Sequence, residues 1–437
     1  MTGPDLSRHV EAARAASALR VRGRVTALAG LVLRAAVSGV RHGERVEIRS
    51  PGRPPLPAEV VGFRDGEALL LPLGEPRGVG LDSEVEPSGR GVCVRVGPGL
   101  LGRVLDGLGR PLDGRPLPAG LAEWEVERPA PGPLERRRIA APLPLGVRVL
   151  DGLCTVGLGQ RLGLLAGSGV GKSTLLGQIA RNARAEACVI ALVGERGREV
   201  KDFIEDCLGE EGLARSVVVA ATSDAPALVR LQAAHVATAV AEWFAEVEGR
   251  DVLLLLDSLT RFARAQREVG LAAGEPPARQ GYPPSVFGAL PRLLERAGNR
   301  SRGGITALYT VLVAGGDMDE PIADEVRGIL DGHVVLERRL AARGHWPAVD
   351  VLQSLSRVMP AVTGEAHRAA AARLRSVLAA YDARRDLVAL GAYQRGSEPA
   401  TDDAIARIEA VEGFLRQGAR EAAPYEETVE RLQALFR

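Results

Sequence analysis

The chain has 437 residues, 46% of them hydrophobic, with 56 Lys and Arg against 55 Asp and Glu. That length suffices for about three domains, and the balanced charge excludes a global field that would draw in nucleic acid or an anionic membrane. No apolar run approaches the roughly 18 residues of a bilayer span, residues 1–20 lack the apolar core of a secretory signal, and Cys93, Cys154, Cys188 and Cys207 lack metal or disulfide spacing, so a cytoplasmic protein is expected.

In residues 1–20, Leu6, Val10, Ala13 and Leu19 stand among charges at the spacing of a short amphipathic helix; a frayed terminus is the alternative. From Val21 to about Pro87, the runs VRGRVTAL, LVLRAAV, RVEI, AEVVGF and ALLLPL are separated by turn residues such as Gly43, Gly52 and Gly66. Strand spacing of this kind predicts a small all-β barrel over residues 21–90. Its one aromatic is Phe63.

Residues 91–145 read as a connection and linker. Gly102–Gly114 repeats Leu-Gly-Arg and Leu-Asp-Gly units and reads as two turns. Glu127–Pro144 then supplies Pro129, Pro131, Pro133, Pro142 and Pro144, a density that stiffens and extends a connection. Arg136, Arg137 and Arg138 in this stretch are assigned to a solvated face, with contact to a neighbouring subunit as the alternative.

Beyond the linker the pattern changes. GLLAGSGVGKSTLLGQIA (Gly163–Ala180) reads as strand, glycine-rich loop and helix. Glycines let backbone N–H groups close around an anion, and the following helix adds its positive end. Gly167, Ser168, Gly169, Val170 and Gly171 form the loop. Lys172 is expected to reach the β- and γ-phosphates, and the Ser173 hydroxyl, with Thr174 beside it, to ligate Mg2+. The pattern G-x-x-x-x-G-K-[ST] is met except that Ala166 stands in place of the first glycine.

The runs at Cys188–Val193, Val217–Ala221, Val252–Leu256 and Ile305–Ala314 are nearly continuous apolar segments alternating with helical ones. Strands buried on both faces of a mainly parallel sheet carry this signature, so residues 146–360 are expected to be an α/β domain. After about Pro360 alanine-rich, charged segments predict a helical domain over 361–437.

Ligands of such sheets sit beyond the carboxyl ends of the strands. Asp257 ends one strand, as an acid that can hold the metal, and Glu195 ends another, where a carboxylate can polarise an attacking water. An ordinary strand-end cap and a surface ion pair with Arg196 or Arg198 are the alternatives. Arg357 follows VDVLQSLS; phosphoryl transfer gains roughly 10³ to 10⁵ in rate from an arginine meeting charge on the γ-phosphate, but nothing in the residues selects Arg357 from the other arginines.

The runs GERGREV (Gly194–Val200), DSLTRFARAQREVGLAAGEPPARQGYPPSVFGALPRLLERAG (Asp257–Gly298), ITALYTVLV, PIADEVRGILDGHVVLERRLAARGHWPAVDVL (Pro321–Leu352) and SRVMP resemble the flagellar and virulence type III protein export ATPases, relatives of the rotary ATP synthase catalytic subunit. The resemblance covers roughly residues 20–437. It implies a RecA-like P-loop NTPase core with an N-terminal β-barrel and a C-terminal helical domain, assembled as a hexamer that hydrolyses Mg-ATP between subunits. The implied roles are Lys172 and Ser173 on phosphate and magnesium, Glu195 as catalytic carboxylate with Arg196 its γ-phosphate neighbour, Asp257 as the Walker B acid, and Arg357 as a finger given to the next subunit. Trp346 falls where relatives carry the aromatic that packs on adenine; a core aromatic is the alternative.

The implied partners are a stator or regulatory protein at the N-terminus, the export gate, export chaperones and secretion substrates. The implied place is the cytoplasmic face of the membrane, peripheral to the export apparatus. LLAGSGVGKSTLL and LVALGAYQRGS (Leu387–Ser397) lean towards flagellar members. Ala314 and Gly316 replace acidic residues common in the family, which leaves that loop without an assigned role. A hexameric RNA-dependent helicase would need stacking aromatics and a basic groove in the barrel, and a non-hydrolysing rotary subunit would lack Glu195.

Overall fold

The computed structural model describes residues 21–437, so the helix expected over residues 5–20 lies outside the described residues. The chain divides into two compact units, one running through Val92 together with Ala272–Gly274, the other comprising Cys93–Leu271 and Glu275–Arg437.

In the first unit, β1 (Gly23–Ala29), β2 (Val32–Ala36), β3 (Arg45–Arg49), β4 (Leu56–Arg64), β5 (Glu67–Pro72) and β6 (Glu84–Pro87) close a barrel in the order β1-β2-β5-β4-β3-β6. Alternation builds it: in β3, Val46 and Ile48 point into a core with Leu33, Val60, Leu70 and Val85, while Arg45, Glu47 and Arg49 face outward. The closing strand β6 has only Val85 buried, so it carries no apolar run to announce it. Phe63 is 54% exposed.

The second unit begins with β7 (Cys93–Val96), β8 (Arg103–Asp106) and β9 (Ala122–Glu125). The main sheet continues with β10 (Arg161–Ala166), β11 (Ala187–Glu195), β12 (Ser216–Thr222), β13 (Asp251–Asp257), β14 (Gly298–Asn299), β15 (Gly304–Leu312), β16 (Gly332–Leu336) and β17 (Val349–Ser356). Its order is β17-β16-β10-β15-β13-β11-β12-β8, with β14 pairing β15. Every pairing from β16 to β8 is parallel, and β17 runs antiparallel to β16. All nine residues of β11 are buried, as a strand covered on both faces requires.

Two expectations are corrected here. Gly102–Gly114 is more than two turns, because the turns flank β8, which pairs in parallel with β12 at the sheet edge. Arg103 on β8 is buried and grips Asp113 with two bonds, of 2.6 and 2.9 Å, holding that carboxyl well below the usual carboxylate range. A four-residue strand with charged ends gives no apolar run, which is why it reads as turn. Of the linker arginines, Arg138 is exposed as expected, whereas Arg136 and Arg137 are held by backbone carbonyls. Arg136 donates to the Ala297 carbonyl at 2.7 Å, and Arg137 to the Arg300 and Gly303 carbonyls at 2.7 and 2.8 Å, strapping the proline-rich segment to the β14 hairpin.

The helices that matter for the site are α1 (Lys172–Asn182) and α2 (Leu259–Ala272). The C-terminal helices α3 (Glu365–Ala389), α4 (Pro399–Leu415) and α5 (Tyr425–Ala434) share one apolar core with the sheet unit: Leu374, Val377, Phe414 and Leu432 belong to the same cluster as Leu150, Leu164 and Ile179. Among the described residues no helix is long and apolar enough to cross a membrane.

Candidate active site

Strand β10 ends at Ala166, and the chain turns through residues 167–171 into α1. Gly169 and Gly171 take φ of +76° and +81°, left-handed values that favour glycine. Gly171 has a second reason to lack a side chain, since a Cβ there would come 2.7 Å from Trp346 Cζ3. Ala166 still lies within β10, paired with Leu312 and Leu336. A regular strand position accepts alanine, which explains the departure from the glycine pattern.

Three strand ends and one helix start converge beside this loop. Lys172, first residue of α1, pairs through Nζ with Asp257 Oδ1, and its Nζ is 3.6 Å from Glu195 Oε1. Asp257 ends β13 and Glu195 ends β11, and both are at least nine-tenths buried. Arg261, in the first turn of α2, donates to Glu195 Oε2 at 2.9 Å and to the Gly194 carbonyl. Thr310 on β15 holds Asp257 Oδ1 at 2.7 Å. Burial, and then the charge of Asp257, push the Glu195 carboxyl up to about 7, against the opposing pull of Lys172.

Trp346 is 41% exposed and walls a cavity of about 510 Å³ shared with Gly171, Thr174, Leu175, Gln178 and Arg416. Its carbonyl accepts from Gln417 N at 2.8 Å, fixing the C-terminal segment against it. The indole therefore lines an open cavity against the phosphate loop instead of filling the core.

Two expected residues are outside this cluster. Arg196 points away, with a side chain 75% exposed and bonded to Glu199 at 2.6 Å. Arg357 lies at the opposite end of the sheet. Ser356 pairs with Gly332 while Ala166 pairs with Leu336, four residues further along β16. At about 3.3 Å per residue, Arg357 stands about 13 Å or more from the start of its own phosphate loop.

Arg261 and Thr310 are the members that the motifs did not single out. Arg261 was findable, because it falls four residues after Asp257 on the helix that follows. Thr310 is a hydroxyl inside an apolar strand, and its partner depends on strand order.

The side chains suit a polyphosphate with a hard cation. Lys172 and the loop amides could meet the anion, and the Ser173 hydroxyl and Asp257 carboxylate are oxygen donors of the kind that could hold Mg2+. Among the described residues no cluster of three or more His, Cys, Asp or Glu forms a self-sufficient metal cage. A cation that completes its shell with phosphate and water needs none.

Comparison with known proteins agrees with this geometry. Residues 146–356 match the ATP synthase alpha/beta family, nucleotide-binding domain, and residues 363–434 match the T3SS EscN ATPase C-terminal domain. The type 3 secretion system ATPase of Xanthomonas euvesicatoria is 52% identical, covering 94% of this chain and 93% of the relative. The flagellum-specific ATP synthase of Bacillus subtilis is 51% identical, covering 94% of each. These near-equal identities give the flagellar leaning no support. The assembled ATPase EscN from the enteropathogenic E. coli type III secretion system superposes with a TM-score of 0.89 at 43% identity, over 94% of this chain and 99% of that chain. The same ATPase solved with its central stalk EscO gives 0.88 at 43% identity, with the same coverage. The chain belongs to the type III export ATPases, the family of flagellum-specific ATP synthases and type III secretion ATPases, and is an ATP hydrolase of that family.

Proposed function

We propose that this chain hydrolyses Mg-ATP at the interfaces of a homohexameric ring and uses the cycle to release chaperones and deliver secretion substrates at a type III export gate. The reading includes a cytoplasmic ring, peripheral to the membrane-embedded apparatus, and a stator or regulatory partner. The assembled state of EscN, and its complex with a stalk protein, support the ring and the partner.

The observation that carries the chemistry is Glu195, a buried carboxylate beside Lys172 whose ionisation burial has moved towards neutrality. A base of that strength accepts a proton near pH 7 and gives it up again. Lys172 exchanges its carboxylate partners for the β- and γ-phosphates, which frees Glu195 to take a proton from water. Bound Mg2+ supplies charge that offsets the developing negative charge on the phosphates. Ser173 and Asp257 hold that cation, and residues 167–171 hold the phosphates through their N–H groups. Trp346 stacks on the base. Arg357 is read as the finger for the neighbouring subunit's nucleotide, a reading supported by its distance from its own loop. Arg196 is read as reaching phosphate only after leaving Glu199.

Glu195→Gln tests this directly. It keeps the shape and removes the base, so turnover is expected to fall at least about 10²-fold while ATP still binds. Wild-type hydrolysis by Glu195→Gln overturns the assignment.

A further inference from the structure

The order β10-β15-β13 inserts β15 between the strand that leads into the phosphate loop and the strand that ends in Asp257. Thr310 sits on β15 beside both ends, since Leu164 pairs with Thr310, and Leu256 pairs with Tyr309 one residue before it. It is fully buried. Its Oγ1 is 2.7 Å from Asp257 Oδ1 and 3.3 Å from the Leu256 carbonyl. A hydroxyl has one proton to give, and the shorter contact to an ionised acceptor is the stronger bond. Thr310 therefore donates to Asp257 Oδ1, the oxygen that also takes Lys172 Nζ. Both bonds fall on one oxygen, and no bond from the described residues falls on Oδ2.

We propose that Thr310 is a positioning residue for the cation step: it anchors Asp257 by Oδ1 and leaves Oδ2 for the divalent ion once Lys172 has turned to the phosphates. The inference rests on the reading of Asp257 as the cation-holding acid. Lys172 is on a long, flexible stem at the start of a helix, and its bond to Asp257 is lost when nucleotide takes it. The Thr310 hydroxyl is carried by a central strand hydrogen-bonded on both sides, so its bond persists through that exchange. Without it, the freed carboxylate turns about its last side-chain torsion and must be re-ordered each time a cation binds. Partners that orient a ligating carboxylate typically carry 10- to 100-fold in metal affinity.

The test uses the full chain saturated with nucleotide, with Mn2+ as probe and free Mn2+ followed by electron paramagnetic resonance. Thr310→Val keeps the shape and removes the hydroxyl. It is expected to weaken Mn2+ binding about tenfold or more, with nucleotide binding in EDTA, read by Trp346 fluorescence, within about twofold of wild type because no cation is involved. Thr310→Ser restores the hydroxyl and is expected to restore Mn2+ affinity. Wild-type Mn2+ affinity in Thr310→Val, or equal losses in the Val and Ser variants, overturns the proposal. If Thr310→Val melts early, Thr310→Ala against Thr310→Ser makes the same comparison. Asp257→Asn separates the two ideas. Unchanged Mn2+ affinity there removes the reading of Asp257 and this proposal with it; a loss in Asp257→Asn but none in Thr310→Val removes the proposal alone.

Discussion

Arg261 and Lys172 hold Glu195 from opposite oxygens: the Arg261 guanidinium donates to Oε2 at 2.9 Å, and Lys172 Nζ stands 3.6 Å from Oε1. Even between two cations the carboxyl is pushed up to about 7, because burial and the charge of Asp257 outweigh them. The carboxylate proposed as the base is thus steadied without being turned into a permanent anion.

A pH dependence follows with a definite sign. Glu195 accepts a proton only when ionised, so kcat/KM falls as pH drops through about 7. Because the folded-state value is raised, Glu195 also contributes stability at low pH that is lost as pH rises through about 7. Glu195→Gln is expected to remove both the fall in kcat/KM near pH 7 and that part of the stability slope. Full kcat/KM at pH 5.5, roughly one unit above the ordinary carboxylate range, contradicts this account of the base.

Trp346 has its own signature. Its indole walls the cavity beside Gly171, whose lining includes neither Glu195 nor Asp257, so the part proposed for it is binding and not chemistry. Stacking of a base on an aromatic is worth about 1–3 kcal/mol, so Trp346→Ala is expected to raise KM for ATP about tenfold with kcat within about twofold. Trp346→Tyr keeps a stacking face and stays near wild type. Steady-state kinetics decide: an unchanged KM in Trp346→Ala removes the stacking role.

Much of this site was legible in the sequence for one physical reason. Glu195 and Asp257 each close an apolar run, Lys172 follows the glycine-rich loop that leaves a third, and parallel strands of one sheet deliver their carboxyl ends to one edge. Runs of that kind also gave the sheet. What stayed hidden depends on pairing. Thr310 meets Asp257 only because β15 is threaded between β10 and β13, an order that no local pattern encodes. Strand β8 has charged ends, β6 has a single buried side chain, and the Arg136 and Arg137 contacts are to carbonyls some 160 residues away. Side-chain patterns report burial period and carry no trace of such long-range bonds.

Arg357 stands at the far end of the sheet from its own phosphate loop, so on the proposed reading each site is completed by a second copy of the chain. Mixing Lys172→Ala with Arg357→Ala protein tests it most directly, since each variant alone is expected to be nearly inactive. A head-to-tail ring built randomly from both forms pairs an intact loop with an intact arginine at about one interface in four. ATPase activity is expected to reappear on mixing, towards about a quarter of the wild-type rate where interfaces act independently. A mixture no more active than its separate components, or an Arg357→Ala protein that turns over like wild type, contradicts it.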